Sequence, residues 1–176
     1  MCRLALDRKT QGLSTHFSKL ALPVLEKAHV QEMDSYIQHG TTTTLDHVVS
    51  VAWEAYVLSH KLHIPCDEEA LVRGALLHDY YLYDWHDHTS CPTRWHGFTH
   101  PGIALRKAEQ DFDLTECERD LIAHHMWPLT PIPPHHIEAW LVCAADKLVS
   151  LRETIGGRLS GPNTLSRPIS AGRSQR

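Results

Sequence analysis

The chain has 176 residues, a length that predicts one compact domain with some tail rather than two domains. It carries 17 Lys and Arg against 21 Asp and Glu, a net charge of −4, and therefore lacks a basic field that would hold a nucleic-acid backbone or an anionic membrane. Hydrophobic residues make up 42% of the chain, which is enough for a core and argues against disorder over most of its length.

Hydropathy and cysteine content narrow the class of protein further. The longest apolar run, Ala139 to Ala145, is far below the ~20 residues that cross a bilayer, and the first residues lack a continuous hydrophobic signal, so we expect a soluble, cytoplasmic protein. Five scattered cysteines without a Cys-x-x-Cys pair favour reduced thiols over disulfides or a thiolate zinc site. Histidine is frequent, with 15 residues, and imidazole is the commonest transition-metal ligand.

Apolar residues recur with a helical period and β-branched alternation is scarce, so the sequence predicts an all-α helical bundle. The first helix is expected over roughly Ser14 to Val30, where Pro23 places a kink or a break. The second opens after the threonine cluster 41–44 and has His47 in its first turn. Its buried stripe is expected to comprise Val48, Val51, Ala52, Ala55, Leu58 and Leu62.

The third helix is expected to begin with Asp67 as its N-cap and two glutamates in its first turn, and to run into His78 and Asp79. An aromatic and histidine-rich segment, residues 80–100, follows without a helical or alternating period. Long irregular segments inside compact domains are often functional.

Two further helices carry N-terminal signals. Thr99 or His100 is expected to cap the first, with Pro101 in its first turn. Thr115 opens a capping box that starts the second, which is expected to run through His125.

The last long helix is expected to start near Pro134 and to end at Gly156. Beyond it, residues 156–176 are rich in Gly, Ser, Pro and Arg and offer little to bury, which predicts a mobile tail. The predicted domain is therefore 1–155, with a metal-binding core at about 33–153.

Histidines and aspartates fall at inward positions of several predicted helices. His47, His78, His125 and Asp146 all lie on or beside the apolar stripe of their own helix, and Asp79 follows His78 directly. An ionisable group that points inward must be paired or bound to a metal, because burial of an unpaired charge is costly. The pattern predicts a cup of imidazoles and carboxylates around a metal.

The ordered set H…HD…H…H…D in an all-helical context resembles the HD superfamily of metal-dependent phosphohydrolases. Within that superfamily, small single-domain proteins described as predicted hydrolases are similar to several stretches between Met33 and Glu153. These stretches are LVRGALLHDYYLYDWH, HGFTHPGIAL, and HMWPLTPIPP followed by AADKLVS.

The resemblance implies a set of metal ligands. The first metal would be bound by His47, His78, Asp79 and Asp146. If two metals are bound, as in some members, Asp79 would bridge them, and His100 with one residue of the pair His124-His125 would hold the second. We favour His125 because it continues the apolar face of its helix, whereas His124 lies about 100° away. His47 is followed by Val48, where many relatives carry a small polar residue, which leaves the hydrogen-bond support of His47 open.

Imidazole and carboxylate ligands select Mn, Fe, Co, Ni or Zn as one or two divalent ions, and the absence of thiolates argues against a closed structural zinc site. The resemblance implies hydrolysis of a small phosphorylated molecule, a nucleotide or another phosphoester, by metal-activated water. Two alternatives stay open: a di-iron oxygenase built on the same ligands, and a non-catalytic module organised by its metal.

Three residues are candidates for the catalytic chemistry: Asp79, Lys147 and His96. Asp79 would hold the metal, while Lys147 would reach an anionic substrate or pair with a carboxylate. A proton donor to the leaving group is needed, and His86, His88 and His96 in the irregular segment are the candidates, of which we name His96.

Overall fold

The computed structural model describes residues 2–39, 42–85 and 95–155, without the side chains of residues 2–10, 39 and 96. The described chain is predominantly helical, which confirms the predicted all-α class. Its helices are α1 (Cys2–Leu25), α2 (Ala28–Gln31), α3 (Thr44–Leu62), α4 (Glu68–Leu77), α5 (His96–Asp111), α6 (Glu116–His124) and α7 (Ile137–Ile155). A 3-10 turn (Glu32–Ser35) and an antiparallel hairpin of β1 (Ile37–His39) and β2 (Thr42–Thr43) precede α3.

Side-chain caps start the three helices α3, α4 and α6. The hydroxyl of Thr43 accepts the N–H of Asp46, and the predicted N-cap Asp67 accepts the N–H of Ala70. The capping box at Thr115 is present as predicted. Because a cap satisfies N–H groups that have no partner within the helix, these residues fix where each helix begins.

Helix α4 lies at the centre of the bundle. It packs against α1, α3, α6 and α7, and α3 also packs against α7. The core around it is apolar and fully buried, with Leu71, Leu76 and Leu77 of α4 among its members. The C-terminal end of α4 therefore lies in the interior of the domain rather than at the surface.

The first helix differs from its prediction at both ends. Helix α1 ends at Leu25 with Pro23 inside its last turn, and Val30 belongs to the separate helix α2. The N-terminal extension was missed because residues 2–13 show no clear apolar stripe, although most of these residue types are compatible with a helix. In α3, Leu62 is 59% exposed instead of buried, because it lies in the last turn before the left-handed residue that ends the helix.

Helix α5 begins at His96 with Trp95 at its N-cap, three residues earlier than the predicted cap at Thr99. Pro101 consequently lies in the second turn, where its missing N–H costs one helical hydrogen bond. The alternative cap, His100, is a buried residue inside the helix. Sequence reasoning took the proline as a sign of a helix start, which is where it occurs most often.

The predicted last helix began too early. Helix α7 starts at Ile137, not near Pro134, because the backbone N–H groups of His135 and His136 donate to the carboxylate of Asp120 at 2.8 Å each. Helix α6 ends at His124, so His125 is its C-cap rather than its last helical residue. Gly156 and the predicted tail 156–176 lie outside the described residues.

Candidate metal centre

The C-terminal end of α4 carries the centre of the site. His78 is the C-cap of α4 and Asp79 follows it, with exposed fractions of 0% and 3%. An ionised carboxylate at such a depth requires charged or hydrogen-bonding partners, because removing it from water is costly. These partners come from α3, α5, α7 and the end of α6.

One oxygen of Asp79 faces a first group of ligands, which we call the first half-site. Nε2 of His47 lies 3.8 Å and Nε2 of His78 lies 3.5 Å from Oδ2 of Asp79. Asp146 on α7 completes the group, since its Oδ1 lies 3.2 Å from Nε2 of His47. All four residues are buried.

The other oxygen of Asp79 faces a second half-site. Nε2 of His100 on α5 lies 3.2 Å, and Nε2 of His125 lies 3.6 Å, from Oδ1 of Asp79. The two ring nitrogens are 2.9 Å apart. The fold therefore brings together every residue proposed as a metal ligand from the sequence: His47, His78, Asp79, His100, His125 and Asp146.

Three of the imidazoles are oriented by hydrogen bonds from their outer nitrogen. Nδ1 of His78 donates to the carbonyl of Ala75 at 2.7 Å, and Nδ1 of His125 donates to the carbonyl of Ile122 at 2.9 Å. Nδ1 of His47 lies 2.9 Å from a carboxylate oxygen of Glu153. With Nδ1 engaged in these contacts, Nε2 of each ring faces the centre, as in metal-binding histidines.

Buried polar atoms at the centre fit a bound cation. Nε2 of His78 and Oδ1 of Asp79 have no hydrogen-bond partner among the described residues, although both are shielded from solvent. Such atoms are costly unless another group meets them. The two groups, His47-His78-Asp79 and Asp79-His100-His125, each have donor atoms close enough together to hold a metal ion. Imidazole and carboxylate together suit a divalent transition metal.

The charges of the centre are set by mutual contacts. Burial alone would raise the pKa of Asp79, but its electrostatic interactions with His78 and His100 outweigh burial and hold that pKa well below its usual value. Burial likewise works against ionisation of Asp146, yet its bond to His47 lowers its pKa. For His47, burial lowers the pKa, whereas the bonds to Asp146 and Glu153 raise it more, to about 10.

The pKa of His125 is lowered, in contrast to that of His47. Burial, followed by the neighbouring imidazoles His78 and His100, lowers its pKa to about 3. His125 is therefore neutral at physiological pH and offers a lone pair at Nε2 without first losing a proton.

Gln38 and Tyr81 support the central carboxylate and were not predicted from the sequence. Nε2 of Gln38 donates to Oδ2 of Asp79 at 2.8 Å, and Oε1 of Gln38 accepts the hydroxyl of Tyr81. The hydroxyl of Thr44 also lies 3.4 Å from that Oε1. Because Oε1 receives hydroxyl donors, the amide is oriented with its NH₂ toward Asp79.

Glu153 was also missed as a functional residue. It lies in the last turn of α7, 106 positions after His47 in the sequence, and its carboxylate orients the ring of His47. No local motif in the sequence links the two residues. The one available signal was its position seven residues after Asp146, which places both on one face of α7.

The remaining proposed residues lie apart from the half-sites or outside the described part. Nζ of Lys147 donates to the backbone carbonyls of Cys143 and His125, at 3.2 and 3.3 Å, and so rests beside the loop that carries His125. His124 points away from the centre and bonds to Asp120 at 2.6 Å. The roles of the side chain of His96, and of His86 and His88, fall outside the described residues.

Comparisons with protein-family models, with curated proteins and with solved structures give no match to this chain.

Among the described helices, none combines the length and the apolar character needed to span a bilayer. The cysteines whose side chains are described, Cys66, Cys117 and Cys143, are free thiols. The buried centre is therefore the feature of the molecule that bears on its function.

Proposed function

We propose that this protein is a divalent-metal-dependent hydrolase of small phosphorylated molecules, with the site chemistry of the HD superfamily that its sequence resembles. One observation carries the proposal. The two oxygens of Asp79 face two separate groups of imidazole nitrogens, at 3.5 and 3.8 Å on one side and at 3.2 and 3.6 Å on the other. A carboxylate in that position suits a bridging ligand between two cations.

The ligand chemistry supports hydrolysis. Divalent cations at the two half-sites would supply Lewis acidity, which lowers the pKa of water and polarises a phosphoryl oxygen. Four imidazoles and two carboxylates provide this donor set without a thiolate, as expected for a site that leaves positions open to water and substrate. Small phosphoesters and nucleotides are the substrates that such a pair of cations accommodates.

The protein side chains have separate roles in this proposal. Asp79 holds the two half-sites at a fixed separation, and Gln38 prevents its carboxylate from rotating. Glu153 keeps the ring of His47 in position, and Asp146 supplies a second negative charge to the first half-site. The carboxylates reduce the net positive charge of the loaded centre, so that a phosphoryl group binds without being held too tightly to leave.

The direct test is hydrolysis of phosphoesters and nucleotides by protein loaded in turn with Mn, Fe, Co, Ni and Zn. We expect turnover with at least one ion, and we expect Asp79→Ala to lose both the ions of the centre and the activity. His29→Ala is the matched control, because His29 is exposed and bonds only to Glu32 among the described contacts. Retention of activity by Asp79→Ala would contradict the proposal.

Oxygen uptake distinguishes the other enzymatic use of such a ligand set. Iron-loaded protein that consumes O₂ with an organic substrate, while every phosphoester is left intact, would overturn the hydrolase proposal in favour of an oxygenase. If no substrate reacts with any of the ions and nucleotides nevertheless bind tightly, a non-catalytic module would be favoured.

A further inference from the structure

A second group of histidines converges on one carboxylate outside the buried centre. Nδ1 of His124, at the end of α6, lies 2.6 Å from Oδ1 of Asp120, and Nδ1 of His135 lies 3.1 Å from the same oxygen. Nδ1 of His136 lies 3.0 Å from the other oxygen, Oδ2. None of these three histidines contributes to the half-sites around Asp79.

Asp120 is already held in place by the backbone. Its Oδ2 accepts the N–H groups of His135 and His136 at 2.8 Å each, which leaves Oδ1 to face His124 and His135. Burial would raise the pKa of Asp120, but the N–H of His136 and the imidazole of His124 outweigh this effect, and the carboxyl has a pKa well below its usual value. A carboxylate with one oxygen fixed and the other turned to imidazoles has the arrangement of a supported metal ligand.

The contacts of Asp120 divide unequally between its two oxygens. Five N–H or ring nitrogens surround Asp120, among them the three imidazoles, whereas a carboxylate offers about four acceptor positions. Three of these nitrogens, the two backbone N–H groups and Nδ1 of His136, meet Oδ2, whereas Oδ1 is met only by Nδ1 of His124 and Nδ1 of His135. A cation bound between Oδ1 and these two imidazoles would therefore replace side-chain contacts only and leave the backbone hydrogen bonds of Oδ2 intact.

The dimensions and the location favour a cation of the zinc class. Ligands of tetrahedral zinc lie about 3.3 Å apart, so His135 and Asp120 are near that spacing and His124 would move out by about 0.7 Å. One donor atom from each of these three residues falls within 4.8 Å of the others. His124 also ends α6, where the helix dipole favours positive charge. The side chain of His135 is 71% exposed, which gives ions access from solvent.

We infer that Asp120, His124 and His135 form a second binding site, open to solvent, for a divalent cation of the zinc class. The bound ion fastens the end of α6 to the segment that precedes α7. His124 directly precedes His125 in the chain. The ion therefore restrains, from the solvent side, the loop that supplies a ligand to the buried centre. The inference does not depend on the hydrolase proposal.

The test is zinc binding to the full chain, measured as zinc per chain and as affinity against a competing chelator. His135→Ala removes an exposed ligand and should fold normally. We expect it to bind one zinc fewer than the unmodified protein, or to hold that zinc at least tenfold more weakly, while the exposed control His29→Ala binds as the unmodified protein does. Equal zinc content and affinity in His135→Ala would overturn the inference.

Two further variants separate this site from the buried centre. Asp120→Asn keeps an acceptor for the two backbone N–H groups and loses the charge, and we expect it to lose the same zinc as His135→Ala. Asp79→Ala should lose the ions of the buried centre and keep this one. If Asp79→Ala keeps no zinc, or if the ion lost in His135→Ala is also the one lost in Asp79→Ala, the second site does not exist.

Discussion

The side-chain amide of Gln38 donates to Oδ2 of Asp79 at 2.8 Å, so a residue of the short β-hairpin supports the carboxylate at the middle of a helical bundle. The two residues are 41 positions apart in the chain. Both are buried, with exposed fractions of 7% and 3%. The hairpin is thus part of the candidate metal centre, although it adds little to the architecture.

Removal of this amide should weaken metal binding. In Gln38→Ala, Oδ2 of Asp79 loses a donor, and the carboxylate is free to turn away from the first half-site. Loss of a group that orients a metal ligand typically costs about tenfold to a hundredfold in metal affinity, and we expect a loss in this range. Gln110→Ala, on the exposed face of α5, is the control. Chelator competition gives the affinities, and an unchanged value for Gln38→Ala would argue against the support.

Glu153 should contribute through its negative charge. In Glu153→Gln the side chain keeps its size, and its amide oxygen still accepts from Nδ1 of His47, but His47 becomes a poorer donor to a cation. We expect metal affinity to fall by about tenfold. Glu26→Gln, which changes the same charge at an exposed position, should leave the affinity unchanged. Equal affinities in the two variants would mean that Glu153 plays no part in the centre.

The sequence was informative about the candidate ligands because most of them lie at inward positions of a predicted helix. His47, His125 and Asp146 lie on or beside apolar stripes, and the order of these residues along the chain resembles a known superfamily. Helical period thus predicted an all-α fold and an inward cluster of imidazoles and carboxylates. These features depend on spacing of three or four residues, which a sequence displays directly.

Contacts that depend on distant parts of the chain were not predictable in the same way. Gln38, Tyr81 and Glu153 reach the centre through tertiary packing, and of the three only Glu153 has a helical-period signal, its position seven residues after Asp146. Asp120 illustrates the same limit, because its position on α6 gives no sign that the chain returns to place His135 against it.

A close approach of two helices sets the spacing of two candidate ligands. A Cβ atom at Gly74 of α4 would lie 2.8 Å from Cδ1 of Leu121 on α6. His78 and His125 follow one turn later on the same helices, and their rings are 4.8 Å apart between centroids. The missing side chain at Gly74 therefore allows the two imidazoles to meet beside Asp79.

Gly74→Ala should destabilise the protein although alanine is the better helix former. Overpacking a core costs about 1–3 kcal/mol, and the gain in helix propensity offsets only up to about 1 kcal/mol. We expect a net loss of about 1 kcal/mol in the free energy of unfolding, measured by urea titration, together with weaker metal binding. Gly12→Ala in α1 meets no atom within 4 Å and should be neutral or stabilising. A stabilised Gly74→Ala variant would contradict the packing account.

Tyr56 should make the protein sensitive to alkaline pH. Burial, aided by the negative charges of Glu68 and Cys66, raises the pKa of Tyr56 from 10.0 to about 12 in the folded state. A raised pKa means that the folded protein binds the proton more tightly than the unfolded chain. The resulting stabilisation is complete below pH 10 and is lost as the pH rises toward 12.

This pH dependence can be measured with Tyr56→Phe, which keeps the ring in the core and removes the hydroxyl. We expect the free energy of unfolding to fall less between about pH 9 and about pH 11 in the variant than in the unmodified protein. Tyr80 and Tyr81 also have raised pKa values and retain part of the effect. Identical losses in the two proteins would show that Tyr56 ionises without a cost to folding.

Anomalous diffraction from crystals loaded with Mn or Fe shows whether Asp79 is shared between two cations. We predict one anomalous peak beside Oδ2, in contact with His47, His78 and Asp146, and a second beside Oδ1, in contact with His100 and His125. A loaded crystal with no peak in contact with Asp79, or with a single ion bound to only one of its oxygens, would contradict it.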